Sequence, residues 1–381
     1  VLRKNDANAI YVQFARNYAD EILLKEVSSS QGAIIDKIEY KEIESLNNNG
    51  LGYLNDPYSS TNSEYYPNFE FKRLRGSKIV EKLTSTIDGK VKYQSYKYHG
   101  LTANLSGLGL IGYKKTARSS WYLSPNDNNI IWSVFENDVQ KRGANSRSYT
   151  QLKSINDFTF NLGAPTNYIS KTENNYVLAN PSHPYALLLS STSSHDSFTN
   201  VKTEVVNQYS TDGFYIPHII VKNNFLGTDL QGTYTTTTSY ENNEFGLGND
   251  YYIGRPTSVV SLADAYGDTF ETTEKYNYTG NLLTRLEKKG NSTEENYIIE
   301  DYEHDDYSNI TKKTVSVTSG VTPYIAPRTI EQTYDATGRF VISSKDIEEL
   351  ITTYSYNSIY GLVETTTNPF SQVTTNYYDN W

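Results

Sequence analysis

Short stretches in which apolar and polar residues alternate, bounded by turn signals, run along almost the whole chain. In 91–98 (VKYQSYKY), Val91, Tyr93, Ser95 and Lys97 fall on one face and Lys92, Gln94, Tyr96 and Tyr98 on the other, which predicts a strand. Residues 33–41 (AIIDKIEYK) predict a similar strand, and Asn47, Asn48, Asn49 and Gly50 then predict a loop. The one helical competitor is 8–27, where Ile10, Phe14, Tyr18, Ile22 and Leu23 loosely follow a 3.6 period. Weak capping and β-like surroundings leave helix and strand both open there. The polar stretch 44–67, with Asp56-Pro57 and Tyr66-Pro67, predicts a long loop. A second, 137–155, predicts a separator after an N-terminal region. Three regions are expected: 1–160, 161–250 and 251–381.

Composition sharpens the β reading. Tyrosine accounts for 35 of 381 residues, Cys and Met are absent, and the mean hydropathy is −0.61. Tyr and Thr suit a pleated, half-buried surface, and disordered chains are poor in aromatics. The absence of Cys excludes disulfides, thiol catalysis and Cys-ligated metals. With 34 basic and 44 acidic residues the net charge is −10, which argues against a nucleic-acid groove. No apolar run approaches the length of a membrane helix. A chain without thiols suits life outside the cell. The opening Val1 reads as a segment of a longer chain.

Repeats carry most of the information. Tyr334, Tyr356 and Tyr378 are spaced 22 residues apart, within TYDATGRF (333–340), YSYNSIYGLVETTTNP (354–369) and NYYDN (376–380). Weaker copies are YNYTGNLLTRLEKKG (276–290), EDYEHDDYSNITKKTVSV (300–317) and NQYSTDGFYIPHIIVKNN (207–224). Each reads as a strand ending in Tyr, a turn with Asp or Asn, and a second strand. That is one β-hairpin per repeat, marginal alone and stable when paired with its neighbours.

These residues resemble the RHS (rearrangement hot spot), or YD-repeat, family. Tyr334, Asp335, Gly338 and Arg339 match its motif closely, and Tyr278, Tyr302, Tyr356 and Tyr378 occupy looser copies. YYIGRPTSV (251–259) looks like a junction before such repeats. YKYHGLTANLSGLGLIGYKK (96–115) resembles the middle region of the Tc toxin B component and SpvB-like proteins, with Gly107, Gly109, Gly112 and Tyr113 in frame and Leu108 where an Arg is usual. The resemblance implies hairpins wound in a spiral β-sheet that forms part of a hollow shell. Such a shell encloses a toxic C-terminal domain, so the implied partners are that domain and the remaining shell repeats. Asp56-Pro57 does not match the family's self-cleavage motif. Secretion or display at a bacterial surface is expected, with the Asn-, Lys- and Tyr-rich usage hinting at type 9 export and a role in bacterial competition. The alternative is a surface or wall-associated adhesin that uses the repeats as a glycan- or cell-binding scaffold.

Other motifs favour structure over chemistry. Gly107, Gly109 and Gly112 spell the GxGxxG dinucleotide fingerprint, but no convincing helix follows and Asp127 lies in a polar loop, so tight β-turns are expected. His99, His183, His195, His218 and His304 lack metal-ligand spacing; His304-Asp305-Asp306 reads as a solvated acidic turn. Ser182-His183 and Ser194-His195 lack a nucleophile elbow. Glu294-Glu295 and Glu348-Glu349 read as solvated faces, as does the basic cluster Lys72, Arg73, Arg75 and Lys78. Regular spacing makes the tyrosines packing groups rather than sugar platforms. No catalytic, cofactor or metal residues are expected, and the chain is expected to act without catalysis. Neither nucleic-acid binding nor direct membrane insertion is expected.

Overall fold

The computed structural model describes residues 2–5, 8–11, 23–28, 34–44, 56–61, 63–87, 89–160, 163–180 and 183–378. Among these the regular structure is β-strand, antiparallel except for the short β5, with 3-10 turns at Val139–Lys141 and Gly248–Asp250 and no α-helix. The expected all-β class is the one observed. Two compact units are present: Val1–Val177 with Thr192–Asn200, and Leu178–Ser191 with Val201–Trp381.

In the first unit β1 (Leu2–Asn5) and β2 (Asn8–Tyr11) make a hairpin. Where 8–27 left helix and strand open, 8–11 are thus extended, and residues 12–22 lie outside the described residues. Then follow β3 (Glu26–Ser28), β4 (Ile34–Glu44), β5 (Tyr58–Ser59), β6 (Asn68–Glu70), β7 (Arg73–Ile87), β8 (Lys90–Asn104), β9 (Gly109–Ser119), β10 (Ile131–Asp138) and β11 (Ala144–Leu152). Both strands expected at 33–41 and 91–98 are present, as parts of β4 and β8. The loop expected over 44–67 contains β5; its Asn47–Gly50 tetrad lies outside the described residues. Strand β11 occupies much of the polar stretch 137–155, because Tyr149 and Gln151 alternate inward within it.

The long strand β8 organises this unit. Its first half pairs with β7, and its second half takes β5 in parallel and β6 antiparallel. Two cores form around it. Ala117, Tyr122, Ile130, Trp132, Val134, Tyr149 and Phe158 make the larger, with the Trp132 and Phe158 rings stacked at 3.9 Å. Ile43, Tyr58, Ile79 and Leu101 make the smaller. Fully burying one such side chain is worth roughly 1.5–3 kcal/mol, so these clusters anchor the unit. β12 (Ser170–Asn180) and β13 (His183–Asp196) contribute residues to both units; β12 pairs with β11 through residues 170–173.

The second unit is a meander in which each strand is antiparallel to the one before. It comprises β14 (Val201–Tyr209), β15 (Pro217–Leu226), β16 (Asp229–Asn243), β17 (Tyr252–Ala265), β18 (Asp268–Thr279), β19 (Leu282–Lys289), β20 (Ile298–His304), β21 (Ile310–Val317), β22 (Arg328–Tyr334), β23 (Val341–Lys345), β24 (Ile351–Tyr356), β25 (Val363–Thr367) and β26 (Val373–Thr375). Among its described residues only Gly232, Thr273, Tyr297 and Ile299 are buried. Globular domains bury one sheet face against a second layer. Here a single layer leaves both faces half exposed, and stability rests on neighbour-to-neighbour pairing along the sheet.

Candidate functional site

The hairpin turns of the second unit share one construction. Asp335, Asp346, Asn357 and Asn368 stand eleven residues apart, one per strand-and-turn. Each places its side-chain oxygen on backbone N–H groups of its own turn. Asp335 Oδ1 accepts from Arg339 N (2.8 Å) and Phe340 N (3.0 Å), and Oδ2 accepts from Thr337 Oγ1 (2.6 Å). The Thr337 hydroxyl first, and then the Phe340 amide, lower the Asp335 pKa to about 2. Asp346 accepts from Glu348 N and Leu350 N, Asn357 from Ile359 N and Tyr360 N, and Asn368 from Phe370 N and Gln372 N. Asp and Asn suit this position because a short side chain reaches its own backbone two to five residues on. Each turn then needs one left-handed residue, supplied by Gly338 (φ 69°), Glu349 (φ 62°), Gly361 (φ 66°) and Ser371 (φ 62°).

Five tyrosines sit at or near the end of a strand that leads into one of the alternate turns, immediately after a β-bulge. Register shifts occur at Gln208/Tyr209, Ser239/Tyr240, Asn277/Tyr278, Thr333/Tyr334 and Ser355/Tyr356. A bulge re-aims the side chain that follows it. Here it lets the hydroxyl reach the preceding strand: Tyr356 donates to Val341 O at 2.8 Å, Tyr240 to Pro217 O at 3.1 Å and Tyr209 to Leu189 O at 2.8 Å, while Tyr378, beyond β26, makes the same kind of bond to Val363 O at 2.7 Å. Tyr334 lies 3.5 Å from Ile310 O and donates to Gln332 Oε1 at 3.1 Å. Tyr278 instead lies under Arg255, whose guanidinium is 4.7 Å from its ring, 3.3 Å from the Tyr252 ring, and paired with Glu241. In the copy at 300–317 the bulge falls at Glu303/His304, so His304 holds the place before the Asp305 turn. Tyr302 lies two residues earlier and donates to Glu300. Burial raises the Tyr302 pKa to about 12, while Lys313 and Tyr302 together hold Glu300 down at about 2. Tyr276 on Glu274 repeats this i, i+2 pairing along one strand face, and Tyr297 on Glu295 repeats it just before β20.

In the first unit the structure assembles a buried polar cluster that sequence reasoning missed. The Glu70 side chain is fully buried; Oε1 accepts from Ser60 Oγ (2.6 Å) and Thr61 N (2.8 Å), and Oε2 meets Lys114 Nζ at 2.7 Å. Lys114 also pairs with Glu64 at 2.7 Å. Beside it Glu136 receives Lys115 (2.9 Å) and Arg147 (2.8 Å), and Arg147 continues to Glu173. His99 is buried with Nδ1 2.8 Å from Ser59 Oγ, and burial lowers its pKa to about 4, so the ring is neutral. Burial likewise lowers Lys97 to about 8; its ammonium donates to Asp56 O at 3.0 Å. A cavity of about 320 Å³ lies here, lined by Thr61, Ser63, His99, Lys114, Lys115 and Glu136. Its cations are matched by carboxylates, and the Ser59–His99 contact is itself buried, so the arrangement locks β5 and β6 onto β8 and β9. The partners come from remote positions with no shared motif, such as Ser59 and His99, 40 residues apart.

The remaining candidates separate. Gly107 (φ 109°) and Gly109 (φ 69°) form the β8–β9 turn, and Gly112 (φ 120°) sits at a bulge opposite Thr102. A strand and not a helix follows them, so the geometry of a dinucleotide site is not built. Tyr113 packs beside Tyr98 at 4.9 Å in the smaller core. Ser194 hydrogen-bonds Thr172, while His195 faces Tyr168 and Asn200. Ser182 and the His183 side chain lie outside the described residues. Glu295 is paired with Lys289, Glu348 and Glu349 lie in the Asp346 turn, and Arg73 pairs with Glu44. Among the described residues no group of three or more His, Asp or Glu is arranged to hold a metal ion, and no helix is long and apolar enough to cross a membrane.

No protein-family profile matches the sequence, and no curated protein matches it. Its fold does have solved counterparts. The crystal structures of TcdB2-TccC3-Cdc42 and TcdB2-TccC3-TEV superpose on 91% of this chain with TM-scores of 0.57 and 0.58, at 10% identity. The Photorhabdus luminescens Tc holotoxin pore with a mutated TccC3 gives 0.57 over the same share at 10% identity. This chain spans 23% of the length of each of those chains. It therefore has a Tc-toxin-like β-sheet fold.

Proposed function

We propose that this chain is a non-catalytic shell segment of a secreted bacterial RHS-repeat toxin, one that helps enclose and protect a C-terminal toxic domain. The observation that carries the reading is the single-layer sheet of the second unit, which has the fold of Tc toxin chains and almost no core of its own. A one-layer wall serves enclosure because it presents two usable faces for little chain. The turn caps and tyrosine bonds keep that wall in register without a second layer. Pairing each hairpin to the next also limits free strand edges, and with them aggregation and proteolysis. The partners in this reading are the toxic domain, the remaining shell repeats and the export machinery, with type 9 export the candidate route. None of this requires a catalytic group. The test is limited proteolysis of the polypeptide that carries this chain. Protection of a C-terminal domain that becomes cleavable once the hairpins are destabilised supports enclosure. A C-terminal domain cleaved at the same rate in both states would overturn it.

A further inference from the structure

We propose that the groove between the turns at 335–340 and 357–361 binds a saccharide bearing a carboxylate. The groove measures about 690 Å³, within the range of small-molecule sites, and is walled by Phe340, Tyr354, Tyr356 and Tyr360 with Arg339 and Asn357 at hand.

Its aromatic wall is already fixed. Phe340 and Tyr356 stack at 4.6 Å, and Tyr356 is held by its hydroxyl bond to Val341 O. Gly361 makes room for the Phe340 ring, because a Cβ there would come within 2.9 Å of Phe340 Cζ. A rigid wall has little conformational freedom left to lose on binding.

The polar side is equally specific. Arg339 is the cation lining the groove, its residue is exposed, and among the described residues no carboxylate forms an ion pair with it. Asp335 also lines the groove, but its carboxylate oxygens accept from Arg339 N, Phe340 N and Thr337 Oγ1 within its own turn. Asn357 spends Oδ1 on its turn and carries two further donors on Nδ2. A pyranose can lay its C–H face on the rings while its carboxylate takes the guanidinium fork.

Other ligand classes fit less well. Strands β22 to β25 are paired on both sides, so an extended peptide finds no free edge to extend. One arginine in a chain of charge −10 is too little for a nucleic-acid backbone. A wholly apolar ligand would cover the guanidinium without pairing it.

The test is titration of the full chain with an oligogalacturonide and with its neutral galactose counterpart, followed by calorimetry. The uronate should bind at least about tenfold more tightly than the neutral sugar, and high salt should weaken it. Arg339→Ala should abolish that preference, and Tyr360→Ala should weaken both sugars. Tyr377→Ala, at an exposed tyrosine outside the groove, should change nothing. Arg339 and Tyr360 are both exposed, so these variants keep the fold, which circular dichroism checks. Absence of binding by either sugar, equal binding of the two, or binding unmoved by Arg339→Ala would overturn the proposal. The outcome is independent of enclosure, which proteolysis reads separately.

Discussion

Replacing Gly338 by Ala tests the turn construction at its tightest point. Gly338 has φ 69°, where an L side chain costs about 1–2 kcal/mol. Its missing Cβ also leaves space for Tyr307 of the Asp305 turn, between β20 and β21: a methyl there would fall on the Tyr307 ring and Cβ. The contact reaches Tyr307 Cβ as well as its ring, so turning the side chain does not clear it: the two turns must part, at the loss of the bond from the Tyr307 hydroxyl to Ala336 O (3.0 Å). That bond is worth about 1 kcal/mol, which with the backbone cost brings the expected total to at least about 2–3 kcal/mol. Gly267 is the control, with φ 87° and no atom within 4 Å of the place a methyl would take, so Gly267→Ala should show the backbone cost alone. Hydrogen exchange is the suitable assay, because a one-layer sheet opens locally. Amides of β22 and β23 should exchange about 30- to 100-fold faster in Gly338→Ala, at about 1.4 kcal/mol per factor of ten. In a Tyr307→Ala background the same substitution should cost about 1 kcal/mol less. Equal costs at Gly338 and Gly267, or no coupling to Tyr307, would refute the close approach of the two turns.

Lys114→Met should destabilise the first unit by about 3–5 kcal/mol, because it strands the buried Glu70 carboxylate; adding Glu70→Gln should recover much of this. Trp132, buried in that unit's core, reports the transition by fluorescence, and a loss under about 1 kcal/mol would contradict the buried pairing. His99 has a folded pKa of about 4 against an ordinary 6.5, so its stabilisation is full above pH 6.5 and is lost as the pH falls toward 4. The urea midpoint should fall across that window, by up to about 3 kcal/mol in stability, and His99→Gln should remove the slope; an unchanged slope would count against a buried neutral ring. Glu349→Gly should stabilise the β23–β24 hairpin by about 1 kcal/mol by relieving φ 62°, read as slower exchange of its amides; faster exchange would show the turn geometry to be wrong.

Local signals in the sequence predicted local structure well. Alternation at 91–98 marks part of β8, and the 22-residue spacing of Tyr334, Tyr356 and Tyr378 marks hairpins whose tyrosines bond the preceding strand. The eleven-residue recurrence of Asp335, Asp346, Asn357 and Asn368 was equally present, but Asn and Asp are too common for it to stand out without the turns in view. The bulges that aim the tyrosines leave no compositional mark. The polar cluster was hidden because Glu70 and Lys114, or Ser59 and His99, meet only after β5, β6, β8 and β9 are placed side by side. The strand at 144–152 was obscured by its polar residues, whose inward members include Gln151 as well as Tyr149.

Enclosure by a one-layer wall is open to direct view by electron microscopy of the polypeptide that carries this chain. A hollow particle is expected, its wall one sheet thick, with the second unit's hairpins in that wall and density inside it. A solid lobe or an extended rod, with no enclosed space, would contradict it.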